Sequence, residues 1–188
     1  MRIISGIFKG KKILLPKDKL TRPLKDLTKE AIFNIIKHSK LLDINLESSN
    51  VLDLFAGVGS FGLECLSRGA ANVTFLENYK EVLIILKKNI NNLKQEDSSS
   101  VIEKDIFVDS TLKKLKKKFN IIFMDPPYKE KKLVDLLSVI IKLKLLKDDG
   151  IIVIHRHKKE KDMFPNEFNL IMEKNYGISK IIFGNTLT

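Results

Sequence analysis

The sequence predicts an α/β protein: a doubly wound, mostly parallel sheet with helices on both faces, behind a small N-terminal extension. Three observations carry this. Apolar runs at Val51–Phe55, Asn72–Leu76, Phe119–Met124 and Gly150–Ile154 alternate with amphipathic segments of helical period. Gly57, Gly59 and Gly62 follow the first run in G-x-G-x-x-G spacing. The chain closes with Phe168–Met172 and Ile178–Phe183 around Asn175-Tyr176-Gly177, the pattern of an antiparallel hairpin.

From Met1 to Leu15, apolar pairs alternate with Arg2, Lys9, Lys11 and Lys12, which predicts two short strands turning near Lys9-Gly10 with a basic outer face. Such a face tracks phosphates or simply keeps an edge soluble. Lys17–Lys25 is a polar linker containing Thr21-Arg22-Pro23. Leu27–Ile36 is expected to be a helix with Leu27, Ala31, Ile32, Ile35 and Ile36 on one side and Asp26 or Thr28 near its start. Leu41–Asn50 is a loop.

Val51–Phe55, broken by Asp53, reads as a buried parallel strand, and a helix follows from Ser60 to a C-cap at Arg68-Gly69. Cys65 lies on its apolar face, the position of a core residue. A second strand, Asn72–Leu76, ends at Glu77. Tyr79–Leu93 is a helix carrying Val82, Leu83, Ile85, Leu86 and Ile90. Val101-Ile102 is a short strand leading to Lys104-Asp105, and Ser110–Lys118 a lysine-heavy helix with a solvated face. Phe119–Met124 ends in Asp125-Pro126-Pro127-Tyr128. Lys132–Leu146 is a helix before the strand at Gly150–Ile154.

The 188 residues suit one domain of ordinary size with an appendage. No apolar run reaches transmembrane length and no signal peptide follows Met1, so a cytoplasmic protein is expected. The single cysteine excludes an internal disulfide. A net charge of +11 favours an anionic partner, but only four of the 34 basic residues are arginine. The other 30 are lysine, and the position of the charge says more than its total.

The glycine turn lets the backbone approach a ligand, and the helix N-terminus behind it offers free N–H groups, so this is a nucleotide-type cofactor site. Glu77, 20 residues after Gly57, is placed to accept from both ribose hydroxyls. Asp53, buried in its strand, requires donors: the glycine-turn amides or a bound ammonium group. Asp105 is placed to hold an adenine amino group, or is a simple loop aspartate. Two prolines fix Asp125-Pro126-Pro127-Tyr128 as a turn at a strand's carboxyl end. The Asp125 carboxylate and the Pro126 carbonyl then grip an exocyclic NH2, and Tyr128 stacks on its base.

Asp53-x-Phe55-x-Gly57-x-Gly59 followed by Asp125-Pro126-Pro127-Tyr128 resembles the S-adenosylmethionine-dependent amino methyltransferases. Arg2-Ile3-Ile4-x-Gly6, Lys9-Gly10-Lys11-Lys12, Arg22-Pro23, Glu30-Ala31-Ile32-Phe33-Asn34 and Gly62-Leu63-Glu64-x-Leu66-Ser67-Arg68-Gly69-Ala70 narrow the resemblance to the RsmD family, which methylates N2 of a guanine in 16S ribosomal RNA. The resemblance spans nearly the whole chain. It implies a Rossmann-like class I methyltransferase with a seven-stranded, mostly parallel sheet, a C-terminal antiparallel hairpin and a small N-terminal β-hairpin extension. Residues 1–40 would be the RNA-binding extension and 41–188 the methyltransferase domain, working as a monomer without metal. The expected catalytic residues are Asp125, Pro126, Pro127 and Tyr128. Asp53, Phe55, Gly57, Gly59, Glu77, Asp105 and Ile106 would bind S-adenosylmethionine, and Arg2, Lys9, Lys11, Lys12, Arg22 and Lys25 would hold 16S rRNA, alone or within a small-subunit particle.

Two departures stand out: Leu24-Lys25-Asp26-Leu27 lacks an arginine that the family carries, and His155-Arg156-His157 replaces an acidic residue after the fifth strand. The histidines, lacking a nearby carboxylate or cysteine in sequence, read as solvated or phosphate-near. A DNA adenine-N6 or cytosine-N4 methyltransferase shares the Asp-Pro-Pro-Tyr logic, but the chain is short for a target-recognition insertion. A glutamine-N5 protein methyltransferase would more usually carry Asn in place of Asp125. A non-catalytic RNA-binding protein leaves Glu77 and Asp125 without a purpose, and a nicotinamide dehydrogenase leaves Asp-Pro-Pro-Tyr idle.

Overall fold

The computed structural model describes residues 1–17, 24–127 and 130–187. Strands β1 (Asn50–Leu54), β2 (Asn72–Glu77), β3 (Ser99–Glu103), β4 (Phe119–Met124), β5 (Leu146–His157), β6 (Phe168–Tyr176) and β7 (Ser179–Thr186) form one sheet in the order β3-β2-β1-β4-β5-β7-β6. The first five are parallel, and β7 enters antiparallel between β5 and β6. The chain leaves β1 toward β2 on one side and β4 lies on the other. The gap above their carboxyl ends is therefore the switch point where α/β sheets bind ligands.

Central strands are apolar on both faces because both faces are covered. Val51, Phe75, Ile121, Phe123 and Val153 pack with α1 (Asp26–His38), α2 (Ser60–Ser67) and α3 (Lys80–Asn92). Leu52, Leu54, Ile122, Met124 and Ile154 pack with α4 (Asp109–Lys113) and α5 (Leu133–Lys142). Helix α2 lies close on the sheet: a Cβ on Gly62 would come within 2.3 Å of Phe75 and 2.7 Å of Val73. Its C-terminus closes on Gly69 at φ +97°, with Ala70 N–H donating to Cys65 O. Cys65 is wholly buried and burial pushes its thiol up, as fits a core residue.

The two N-terminal strands reduce to one antiparallel bridge, Arg2 to Lys12, with Ile3 N–H on Lys11 O and Gly10 N–H on Ile3 O. The loop is instead tied to the helices beneath it. Glu64 of α2 accepts from Ile4 and Ser5 N–H at 2.8 and 2.9 Å, and Asn89 of α3 exchanges bonds with Leu14. Ile3 and Ile13 are buried, so this arm is part of the core.

Helix α1 buries Ile32 and Ile36 as its apolar pattern predicts, but its inward face is rotated away from Leu27. Leu27 is 72% exposed, Ala31 and Ile35 are half-buried, and the buried residues are Thr28, Lys29, Ile32, Phe33 and Ile36. The partner surface decides this: Phe33 stacks on Phe61 at 5.1 Å, and Lys29 finds Arg2 O at 2.9 Å. Neither Asp26 nor Thr28 caps the helix; Lys25 is the N-cap and makes no side-chain bond.

The lysine-rich helix ends early, at Lys113, and Lys114, Lys116, Lys117 and Lys118 are exposed, as a solvated face requires. Helix α5 stops at Lys142, and β5 starts at Leu146, where a register shift against β4 absorbs Lys147 to Gly150.

Candidate active site

A cavity of about 830 Å³ opens above β1, β2 and β4. Its wall contains Asp53, Phe55, Gly57, Glu77, Asp105, Ile106, Asp125, Pro126 and Pro127. Thus the glycine turn and the Asp-Pro-Pro turn, 68 residues apart in sequence from Gly57 to Asp125, face one space. Gly59 does not line it. That residue sits at φ +85° where the turn becomes α2, and a Cβ there would meet Leu86 of α3 at 2.6 Å.

Phe55 ends β1 in the left-handed region at φ +60°, a conformation that costs a non-glycine residue roughly 1–2 kcal/mol. It turns the chain off the sheet, and its ring lies 6.0 Å from Phe107. Gly57 follows at φ +55°, and a Cβ there would meet nothing within 4 Å, so its backbone is open to a ligand. Its N–H donates to Glu77 Oε2 at 2.8 Å, while Glu77 Oε1 accepts from Asn78 and Tyr79 N–H, both at 2.9 Å. These bonds fix the carboxylate at the end of β2 and leave lone pairs for a diol.

Asp53 is 1% exposed, and its Oδ2 accepts from Gly62 N–H at 2.9 Å in the first turn of α2. Burial pushes this carboxyl well above the usual carboxylate range; the Gly62 bond opposes the rise, and the charges of Asp125 and Glu77 add to it. A cation in the cavity would relieve that cost. Asp105 is exposed, and Oδ1 accepts from Phe107 N–H at 2.9 Å, which shapes the loop after β3; Ile106 beside it is buried. Carboxylates at two strand ends, a buried acid and an apolar wall fit a cofactor bearing a ribose diol and an ammonium group.

At the opposite wall, Asp125 Oδ1 lies 2.8 Å from Nδ1 of His155, whose Nε2 lies 2.9 Å from Ser179 Oγ. His155 is 6% exposed, which overturns its solvated reading, and His157 is half-buried. Between them Arg156 is buried as well. It bonds Asp162 Oδ1 at 2.8 Å and reaches Pro127 O at 3.4 Å and Glu130 O at 3.2 Å, so it clasps the proline turn from behind. Lys180 joins the same buried group, 3.0 Å from Asp162 Oδ2. The signal that could have found these residues is position: β5 is buried on both faces through Ile154, and its next residues abut the end of β4.

Arg2, Lys9, Lys11 and Lys12 are exposed on the N-terminal arm, away from the cavity wall, and Lys25 lies at the cavity mouth. Tyr128 and Arg22 lie outside the described residues.

Residues 1–185 match the family described as "Conserved hypothetical protein 95", the RsmD family. The chain belongs to the RsmD family. Among its relatives, YlbH of Bacillus subtilis is 34% identical over 186 residues, covering 96% of each chain. Ribosomal RNA small subunit methyltransferase D of Haemophilus influenzae is 33% identical over 183 residues, 95% of this chain and 90% of that one. The solved structure of yhhF from Escherichia coli superposes with a TM-score of 0.83 at 28% identity, covering 99% of this chain and 97% of that one. The RsmD membership agrees with the order of the sheet, with β7 antiparallel between β5 and β6, and with both turns at the cavity.

Proposed function

We propose that this chain transfers a methyl group from S-adenosylmethionine to the exocyclic N2 of a guanine in small-subunit ribosomal RNA. The observation that carries it is the single cavity shared by Glu77 and Asp53 on one side and Asp125-Pro126-Pro127 on the other. One side suits a cofactor's ribose and ammonium, and the other an amine acceptor. The name of the H. influenzae relative supports rRNA as the substrate class.

S-adenosylmethionine held by Glu77, Asp53 and the Gly57 backbone would supply a sulfonium methyl group, its S–C electron pair remaining on sulfur as the nitrogen lone pair forms the new N–C bond. The protein's part is positioning, for which effective molarities of about 10⁵ to 10⁸ M are attainable. A guanine amine is a poor nucleophile because its lone pair is delocalised. Acceptors at Asp125 and Pro126 hold its hydrogens and so turn the lone pair out of conjugation, a bond that strengthens as the nitrogen becomes cationic. The nitrogen then sheds a proton to solvent. The base leaves its stack to enter the cavity, with Tyr128 assigned to hold it. Residues 1–40, with Arg2, Lys9, Lys11, Lys12, Arg22 and Lys25, serve as the RNA-gripping extension of a methyltransferase domain over residues 41–188.

The test is transfer from labelled S-adenosylmethionine into small-subunit particles lacking the modification, with Asp125→Ala alongside. Label recovered as N2-methylguanine and lost in the variant is expected. Cofactor binding without any label in RNA would overturn the rRNA assignment.

A further inference from the structure

His155, Asp125 and Ser179 come from β5, the end of β4 and β7, and meet at one point of the cavity wall that all three line. The imidazole bridges the other two, 2.8 Å from Asp125 Oδ1 and 2.9 Å from Ser179 Oγ. Register explains the meeting. Ile154 pairs with Met124, so the next residue of β5 stands beside Asp125, and in the antiparallel pairing Ser179 lies opposite His157 at the near end of β7.

An ionised carboxyl only accepts, so the ring nitrogen facing Asp125 carries a proton. In a neutral imidazole the other nitrogen then accepts, and the serine hydroxyl is the donor that fills it. We infer that His155 is a positioning residue for the methyl-accepting amine: held as the Nδ1–H form by the Asp125 carboxylate and kept in place by Ser179 at Nε2, it occupies Oδ1 of Asp125 and leaves Oδ2 as the acceptor for the substrate. This rests on the role proposed for Asp125 above. The carboxylate otherwise has a free torsion at the end of its strand, and a second acceptor oxygen would compete for the same amine. With Oδ1 occupied, a single oxygen and the Pro126 carbonyl define where the two amine hydrogens go. Ser179 therefore acts two hydrogen bonds away from the substrate, by fixing the orientation of the ring that reaches Asp125. Histidine is suited to this place because it donates to Asp125 without adding a further negative charge to those of Asp125 and Glu77, which already bear on buried Asp53.

The experiment has two independent readouts. The first is nitrogen NMR of protein labelled in its three imidazoles, His38, His155 and His157, with His155→Asn used to assign the signal. The Nδ1–H pattern is expected for His155, kept in Ser179→Ala and reverting to the ordinary Nε2–H form in Asp125→Ala, where the acceptor facing Nδ1 is gone. An Nε2–H form in the wild-type protein overturns the inference, whatever the substrate proves to be.

The second readout is kinetic, on small-subunit particles. His155→Leu is expected to lower kcat about 10- to 100-fold, the scale on which outer partners of functional side chains act. Its KM for S-adenosylmethionine should stay within about threefold. His155→Asn, which keeps a donor where Nδ1 stood, should recover most of the loss. A kcat unchanged in His155→Leu, or equal losses in both variants, overturns the inference. Complete inactivity of the wild type on RNA would instead defeat the substrate reading and leave the NMR result to decide the geometry.

Discussion

Lys29 and Glu64 meet 3.6 Å apart with neither side chain exposed. Around them, Glu64 also accepts from Arg68 Nε and from Ile4 and Ser5 N–H, and Lys29 donates to Arg2 O. Burial lowers the Lys29 pKa from its usual value, and the Glu64 charge opposes that. Removing one member strands the other groups. Glu64→Ala is expected to cost about 3–5 kcal/mol in urea unfolding, the scale for a broken buried pair. The double variant with Lys29→Met should lose less than the two single changes together, and strict additivity would disprove the coupling.

Two glycines of the turn should fail in different ways. Gly62→Ala drives a methyl into Phe75 and Val73, an overpacking cost of about 1–3 kcal/mol. Gly57→Ala meets no atom but stands at φ +55°, so its cost is strain of about 1–2 kcal/mol and a tilt of the N–H that Glu77 holds. Calorimetry with S-adenosylmethionine should show the larger affinity loss in Gly57→Ala relative to its stability loss. The reverse ranking would place Gly57 outside the cofactor cradle.

Asp53 makes a pH prediction. Its carboxyl pKa is raised on folding, so the folded state keeps the proton longer than the unfolded chain does. Stability contributed by this group falls as pH rises from the ordinary carboxylate value through the raised one. Asp53→Asn keeps an acceptor for Gly62 N–H without the charge. The variant should therefore gain on the wild type as the pH rises above the ordinary carboxylate value of about 4 in urea unfolding, while binding S-adenosylmethionine more weakly at the higher pH. A stability difference that does not change with pH would contradict this.

The arm's lysines are exposed and the cofactor cavity lies elsewhere. Replacing Lys9, Lys11 and Lys12 with alanine should reduce the salt slope of RNA binding by nearly 1 for each phosphate no longer neutralised. S-adenosylmethionine affinity should not move. An unchanged slope would mean these side chains only keep the arm soluble.

The sheet was legible because buried parallel strands must be apolar on both faces, and β4 and β2 stand within one residue of their predicted bounds. Both turns were legible for a related reason, since glycine spacing and paired prolines are local signals. What failed was non-local. Leu27, expected on the buried side, is exposed, and Lys29 turns inward because Arg2 and Glu64, distant in sequence, supply what it needs. His155 looked solvated because its partners, Asp125 and Ser179, lie 30 and 24 residues away. Gly59 and Gly57 share one motif, yet only tertiary packing shows that Gly59 lies against Leu86 while Gly57 lines the cavity.

The bonds of the arm also set a timetable. Ile4 waits for a partner 60 residues later and Leu14 for one 75 residues later. At about 5–20 residues per second of synthesis, the arm stays unplaced for roughly 3–15 s, with Ile3 and Ile13 uncovered. The basic arm is thus made before the helices that hold it and settles only after them. Its native position requires Glu64 of α2 and Asn89 of α3 to be in place.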